Sequence, residues 1–329
     1  MKALVTGIAG QDAFYLQKEL LERGYEVLGL YRGQDEDRLD KFLLSEMPEV
    51  EFVRGDVSDS HAVNAIIKNQ RPDWVFNMAG VTNVPVSLQS PYVTFRVNTE
   101  GVLNLLEAIK TFSPSTRMVQ ASTSEMYGNA NSSGGFVETD LMIPTSPYGI
   151  SKLAAHLLCR NYRVSYGLHV SCAISFNHES PRRPPIFVTR KVTQAVARII
   201  AEKQDYLVLG NMAAQRDWGF AGDYVKAFIG MAEADSPDDY VIGTGVVHSV
   251  EDLVAAAFAV VGVSNWRDFI RMSPDNLRPE DNDYLCADPT KAKVVLGWKS
   301  VTTFEELVTM MVTADLRREG AWTVGRDSI

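Results

Sequence analysis

Residues 121–128 read ASTSEMYG and follow RMVQ, so what reads as a buried strand ends in the hydroxyls of Thr123 and Ser124 and the carboxylate of Glu125. An acid there either caps the next element or handles protons. SPYGISK, further along, sets Tyr148 and Lys152 four residues apart, which turns both from one face of a helix toward the same spot. A tyrosine with its usual pKa of about 10 is no base at neutral pH, and a nearby ammonium favours the phenolate. Lys152 is spaced to be that ammonium. A Y-x-x-x-K pair alone is also what a chance surface pair looks like, so its weight comes from its surroundings.

TGIAGQDA, residues 6–13, closes an apolar run and opens a helical pattern, with Gly7, Gly10 and Ala13 at three-residue spacing. Glycines there let the backbone turn tightly and approach a pyrophosphate, which the free N–H groups and dipole of a helix N-terminus stabilise. The spacing departs from G-x-G-x-x-G, and a turn that needs glycine for geometry alone gives the same pattern. After the second strand, LGLYRGQDEDR offers Arg32, suited to a 2′-phosphate, and then Asp35, Glu36 and Asp37, any of which suits a ribose hydroxyl or is a solvated charge. Asp56, after the third strand, is placed to approach the adenine. Ala79 and Gly80, after the fourth, let the backbone pass near the cofactor.

These groups need a scaffold that brings strand ends together. KALVTG, EVLGLY, VEFVRGDV, DWVFNMAG, RMVQAST and HVSCAISFN each precede a helical segment, and strand and helix in alternation predict right-handed βαβ units, hence a doubly wound parallel sheet of Rossmann type. In 97–112, Val102, Leu105, Leu106 and Ile109 form one stripe and predict a core-facing crossover helix with no chemistry. HESPRRPPIF (178–187) predicts a loop because its prolines break regular structure. Beyond it the sequence predicts helices near 187–203, 222–234 and 249–261, short strands near YLVLG and YVIGTG, and a last amphipathic helix in TFEELVTMMVTADLRRE. The expected division is a nucleotide-binding domain over 1–178 that carries the catalytic residues, and a smaller mixed α/β lobe over 179–329 for the substrate, with allowance for segments returning to the first. A crevice between them is the expected ligand site.

The 329 residues, 46% hydrophobic and 22% charged, bury a large core, and a formal net charge of −9 argues against nucleic acid or an anionic membrane as partner. Three widely spaced cysteines, Cys159, Cys172 and Cys286, fit neither a disulfide framework nor a zinc site. With no export signal and no long apolar segment, the expectation is a cytoplasmic protein with no metal.

Together these stretches resemble the extended short-chain dehydrogenase family, and within it the GDP-mannose 4,6-dehydratases. The matching runs span nearly the whole chain: VTGIAGQD, ASTSEMYG, SPYGISK, FNHESPRR with FVTRK, RDWGFAGDYV, and RPEDND followed by DPTKAKVVLGW. The resemblance implies a catalytic set of Thr123, Glu125, Tyr148 and Lys152. It implies cofactor contacts from Gly7, Gly10, Gln11, Asp12, Arg32, Asp56, Val57, Ala79, Gly80, Lys152, His178 and Arg183. Thr82, Ser124, Asn177, Val188, Lys191, Arg216, Arg278 and Asp281 would hold the sugar nucleotide, although any one of the cations also suits a solvated surface.

The implied chemistry explains the acid in ASTSE. Oxidation at C4 of a GDP-sugar needs Tyr148 and Thr123; the C5 proton, made acidic by the new ketone, needs a carboxylate, Glu125, before water leaves from C6. The cofactor is regenerated in each turnover, so tightly held NADP is expected and NAD less so. Four departures bear on the sugar: Val81 and Thr82 in MAGVTNV, Pro184 and Pro185 after the double arginine, Thr145 before SPYG, and Glu280 followed by Asp281. They keep a dehydratase or epimerase acting on another nucleotide sugar, such as a GDP-heptose, as the alternative. An idle cofactor-binding regulator is a third reading, opposed by the complete catalytic set. Arg182 and Arg183 imply a homotetramer, with a homodimer the simpler alternative.

Overall fold

The computed structural model describes residues 1–33, 47, 49–128, 130, 134–273 and 284–321. The six N-terminal apolar runs form strands β1 (Lys2–Thr6), β2 (Glu26–Tyr31), β3 (Glu51–Arg54), β4 (Trp74–Asn77), β5 (Arg117–Ala121) and β6 (Val170–Ser175). The later part contributes β7 (Asn177–Glu179), β8 (Leu207–Leu209), β9 (Gln215–Phe220), β10 (Asp239–Ile242), β11 (Val247–Ser249), β12 (Ile270–Met272) and β13 (Tyr284–Leu285). The main sheet has seven strands in the order β10-β6-β5-β4-β1-β2-β3, all paired in parallel. Parallel strands covered on both faces are uniformly apolar, and β6, VSCAIS, is buried throughout.

The helices divide between the two faces. On one, Leu16 and Leu20 of Gln11–Glu22 meet Tyr224 and Phe228 of Ala221–Glu233. On the other, the predicted stripe Val102, Leu105, Leu106 and Ile109 of Gly101–Phe112 packs with Ile67 and Cys159. Chain order changes direction between β1 and β4, and the crevice above that point is where α/β sheets bind ligands.

YVIGTG, read from sequence as part of the smaller lobe, instead supplies β10, the seventh strand, registered Asp239 to Cys172 and Ile242 to Ser175 on β6. Its helix, Ala221–Glu233, packs on Gln11–Glu22. A short strand, apolar after Asp239, carries no mark of which sheet takes it. Helix Thr290–Val295 also returns to this sheet, Ala292 joining the core around Tyr240; most of the other C-terminal elements form a second lobe. There β7, β9, β11 and β13 make one small sheet, β8 pairs with β12, and helices Val188–Ile200, Val250–Val260 and Phe304–Glu319 enclose a separate core around Val196, Phe258 and Met311. Of the predicted loop 178–187, His178 and Glu179 extend into β7, paired with Gly219 and Phe220, and residues 180–187 are irregular.

Candidate active site

A buried polar rail levels the strand ends that carry the site. Thr6 Oγ1 donates to Asn77 Oδ1 at 2.5 Å, and Asn77 Nδ2 donates to Gln120 Oε1 at 2.7 Å. These three residues sit on adjacent strands β1, β4 and β5 and are buried. Each bond satisfies a group that would otherwise be stranded away from water. Directly above, Gly7 adopts φ +64°, and a Cβ there would stand 2.9 Å from the Ala79 backbone. Only glycine fits this cradle, which brings the first loop against the Ala79–Gly80 turn. Gly10 caps Gln11–Glu22, its N–H donating to Gly7 O at 2.8 Å.

β5 runs out at Ala121, and a short 3-10 turn, Ser124–Met126, begins with Thr123, whose Oγ1 accepts from Glu125 N at 3.3 Å. Helix Pro147–Tyr166 starts against this turn: Ser146 Oγ accepts from Gly149 N at 3.1 Å, Pro147 occupies the first turn, and a Cβ on Gly149 would lie 2.7 Å from Glu125 O. This close start sets Tyr148 beside Thr123, whose hydroxyl acts to lower the phenol's pKa. One turn on, Lys152 Nζ donates to Ala121 O at 2.7 Å. A buried serine steadies the same helix, with Ser122 Oγ 3.1 Å from His156 Nδ1.

The expected lowering of the Tyr148 phenol is not found. Burial pushes it up to about 12; the Thr123 hydrogen bond and Arg183 act in the lowering direction, and the Glu125 charge raises it further. Burial also brings Lys152 down to about 8, although Asp12 draws it upward. Desolvation outweighs neighbouring charges at both residues.

The segment after β6 closes over the nucleotide loop. Gln11 Nε2 donates to His178 O at 3.0 Å, and Ser180 Oγ donates to Gln11 Oε1 at 2.7 Å. His178 Nε2 lies 3.0 Å from Asp12 Oδ2 and its Nδ1 2.7 Å from Phe176 O. Burial opposes charge on His178, but Asp12 outweighs it and raises the imidazole above its ordinary value. Arg183 Nε stands 3.0 Å from the buried Glu179 carboxylate, which also accepts from Thr189 Oγ1 at 2.5 Å. Arg183 stacks on Phe187 at 3.6 Å, and Arg182 on Phe14 at 3.3 Å.

These elements surround a cleft of about 430 Å³ between the lobes. Of the residues expected from sequence, Asp12, Thr82, Thr123, Ser124, Glu125, Tyr148, Lys152, Asn177, His178, Arg183, Val188, Lys191 and Arg216 line it. Gly7, Gly10 and Gln11 form the loop beside it, and Ala79 and Gly80 form the turn under that loop, Ala79 N donating to Thr6 Oγ1 at 3.1 Å. Gly80 stands near enough to Lys152 that an added Cβ would lie 3.4 Å from Nζ. Arg32 is exposed just past β2. Asp56 accepts from Ser58 N and Oγ at 2.8 Å each, while Val57 is buried. Arg278 and Asp281, with Asp35, Glu36, Asp37 and Glu280, lie outside the described residues.

Sequence reasoning did not name Asn83, Ser175, Ile186, Phe187, Thr189 or Asn211, which also line the cleft. Ser175 alone left a sequence signal, a hydroxyl ending a strand that is apolar apart from Ser171. At Val81 the backbone is held at both polar atoms, its N–H by Asn98 Oδ1 at 2.8 Å and its carbonyl by Asn98 Nδ2 at 3.0 Å. The arrangement fits a dinucleotide laid across the switch point: the loop that Gly7 folds onto Ala79 leads into the N-terminus of Gln11–Glu22, and among the described residues the buried Ser175 hydroxyl has no protein partner. Among the described residues, no helix is long and apolar enough to cross a membrane.

The family model described as GDP-mannose 4,6 dehydratase matches residues 4–311. The chain is 42% identical over 325 residues to GDP-mannose 4,6 dehydratase 1 of Arabidopsis thaliana, covering 95% of this chain and 89% of that one. It is 39% identical to GDP-mannose 4,6-dehydratase of Sinorhizobium fredii, covering 95% and 96%. Among solved structures it resembles UDP-glucose 4-epimerase of Thermus thermophilus in complex with NAD, with a TM-score of 0.83 and 28% identity over 96% of this chain and 99% of that one.

Proposed function

The chain belongs to the GDP-mannose 4,6-dehydratase family, and from that premise we propose that it converts GDP-mannose to GDP-4-dehydro-6-deoxy-D-mannose with a tightly held NADP. The observation that carries the reading is Glu125 in one cleft with Thr123 and Tyr148, near enough for its charge to act on the phenol. An enzyme that only oxidised or epimerised C4 has no use for that acid.

When bound, a nicotinamide would supply the hydride acceptor for C4 and, later in the same turnover, the hydride donor for C6. Tyr148, protonated in the ligand-free protein, has to reach the phenolate before it can accept the O4 proton; the positive nicotinamide ring and the Lys152 ammonium one helical turn away would favour that form, with Thr123 bonded to the same oxygen. Glu125 removes the C5 proton and passes it to the departing C6 oxygen, so that water leaves. The proton that Tyr148 holds balances the one C5 regains. Lys191 and Arg216 are the cleft cations for the GDP diphosphate, with Thr82, Ser124, Asn177 and Val188 about the sugar and ribose; Arg278 and Asp281 complete this assignment. Gly7, Gly10, Gln11 and Asp12 take the pyrophosphate end of the cofactor, Asp56, Val57, Ala79 and Gly80 the adenosine side, and His178 and Arg183 close over it.

NADP rests on Arg32 at the end of β2, the position from which a cation reaches a 2′-phosphate. A cytoplasmic setting fits three buried free cysteines. Exposed apolar residues on Val84–Gln89, Pro91–Phe95 and Pro147–Tyr166, namely Leu88, Tyr92, Val93, Ile150 and Leu157, favour self-association. A homotetramer is the assignment, with a homodimer as the simpler alternative. Light scattering after size exclusion tests it, and a stable monomer at micromolar concentration removes both.

The deciding experiment is mass spectrometry of GDP-mannose incubated with purified protein, without and with added NADP. Loss of one water in both tubes is expected. No loss in either tube rejects the substrate.

A further inference from the structure

Ser175 is the last residue of β6 and is 6% exposed. Its Oγ is buried without a hydrogen-bond partner in the protein, and the residue lines the cleft. A buried hydroxyl left unpaired is costly, and an aliphatic side chain at the end of this buried strand would avoid that cost. An orphaned hydroxyl on a residue that lines a ligand crevice therefore points to a ligand atom as its partner.

Topology identifies which part of the ligand this is. The nucleotide loop follows β1, and β2 and β3 lie on one side of it, with β4, β5 and β6 on the other. A dinucleotide crossing at the switch point puts its adenosine half over β2 and β3 and its nicotinamide half over β4 to β6. Alternation along β6 gives Ser175 the same face as Ala173, which packs in the cluster that includes Phe228. Phe228 and Met78 line the cleft too, adding apolar surface suited to a flat ring. The nicotinamide carboxamide has both a donor and an acceptor, and a hydroxyl can meet either.

Resting on the cofactor reading above, we propose that the Ser175 hydroxyl hydrogen-bonds the carboxamide of the nicotinamide ring and so fixes the ring's rotation at the C4 hydrogen-transfer position.

The test compares wild type and Ser175→Ala after removal of carried-over cofactor. Dissociation constants are measured by calorimetry for NADP, for NAD, and for 2′-phospho-ADP-ribose and ADP-ribose, which lack the nicotinamide. The variant is expected to bind the preferred dinucleotide about five- to tenfold more weakly and the matching fragment unchanged, while the melting temperature of the ligand-free protein stays level or rises. Equal dinucleotide affinity in both proteins overturns the proposal, since an ordered water then satisfies the hydroxyl. So does a parallel loss for the fragment, which would put the effect in the fold. Wild type that binds neither dinucleotide rejects the cofactor reading itself, and this proposal with it.

Discussion

Asp12 of the nucleotide loop and His178, which follows the sixth strand, form an ion pair at 3.0 Å across 166 residues of sequence. Because the other ring nitrogen faces the Phe176 carbonyl at 2.7 Å, both nitrogens meet acceptors and the imidazolium is the form that satisfies them. Burial works against the Asp12 charge, yet His178 and the hydrogen bonds hold its carboxyl down at about 2, below the ordinary 3.8. Stability from the lowered acid is present above pH 3.8 and lost as pH falls through about 2. Stability from the raised histidine is complete below pH 6.5 and lost as pH rises through its elevated value. Asp12→Asn is therefore expected to cost about 2–3 kcal/mol between pH 4 and 6.5 and less at pH 9, as read by urea denaturation. An equal cost at both pH values rejects the ion pair.

Lys152 at about 8 sets an alkaline limit on the reaction. The value of kcat/KM for GDP-mannose, which reports the free enzyme, is expected to fall above pH 8 as the ammonium is lost. Lys152→Arg, with a group that stays charged, should move that limb to higher pH. A profile unmoved by the substitution assigns the limb to another group.

Tyr148 carries a phenol raised to about 12 in the ligand-free protein. Ultraviolet titration of wild type minus Tyr148→Phe should show no phenolate from this residue below pH 10. The same variant is expected to lower turnover by about 10²- to 10⁴-fold with little change in melting temperature. Retained turnover would remove Tyr148 from the proton path.

Gly7→Ala combines a left-handed φ with a Cβ set 2.9 Å from the Ala79 backbone. The conformation alone costs about 1–2 kcal/mol, and displacing backbone adds to it. Thermal denaturation should show a clear loss of stability, and dinucleotide affinity should fall with it. Normal melting and normal affinity together would mean that the loop does not press on Ala79 as described.

Glu125→Gln keeps the shape of the strand end and removes the base. Elimination is expected to slow by about 10²- to 10⁴-fold, with the C6 oxygen of GDP-mannose retained by mass and the melting temperature close to wild type. Dehydration at the wild-type rate would sink the assignment of the C5 proton to this residue.

The parts of the molecule that the sequence disclosed are those governed by short-range pattern. Six strands of the main sheet follow from apolar runs, and the stripe from Val102 to Ile109 follows from helical period. Thr123, Glu125, Tyr148 and Lys152 come together because a strand end and a helix start each hold their pair in fixed spacing. Long-range partners left no such mark. Nothing near Gln11 indicates that its amide is engaged by His178 O and Ser180 Oγ, and YVIGTG reads alike whether it edges a small sheet or completes a large one. The direction of the Tyr148 shift depends on burial, which spacing does not encode.

Synthesis order gives β10 a further importance. The strand that completes the main sheet is drawn from residues 239–242, long after β6 has left the ribosome. Until then β6 is an open edge, apolar on both faces and with unpaired backbone groups on one side, the kind of surface that recruits strands from other chains. A nascent chain therefore carries an adhesive margin while residues 176–242 are added. Fragments that stop before Ile242 keep that margin permanently, so the first lobe cannot be obtained by cutting the chain where the second begins.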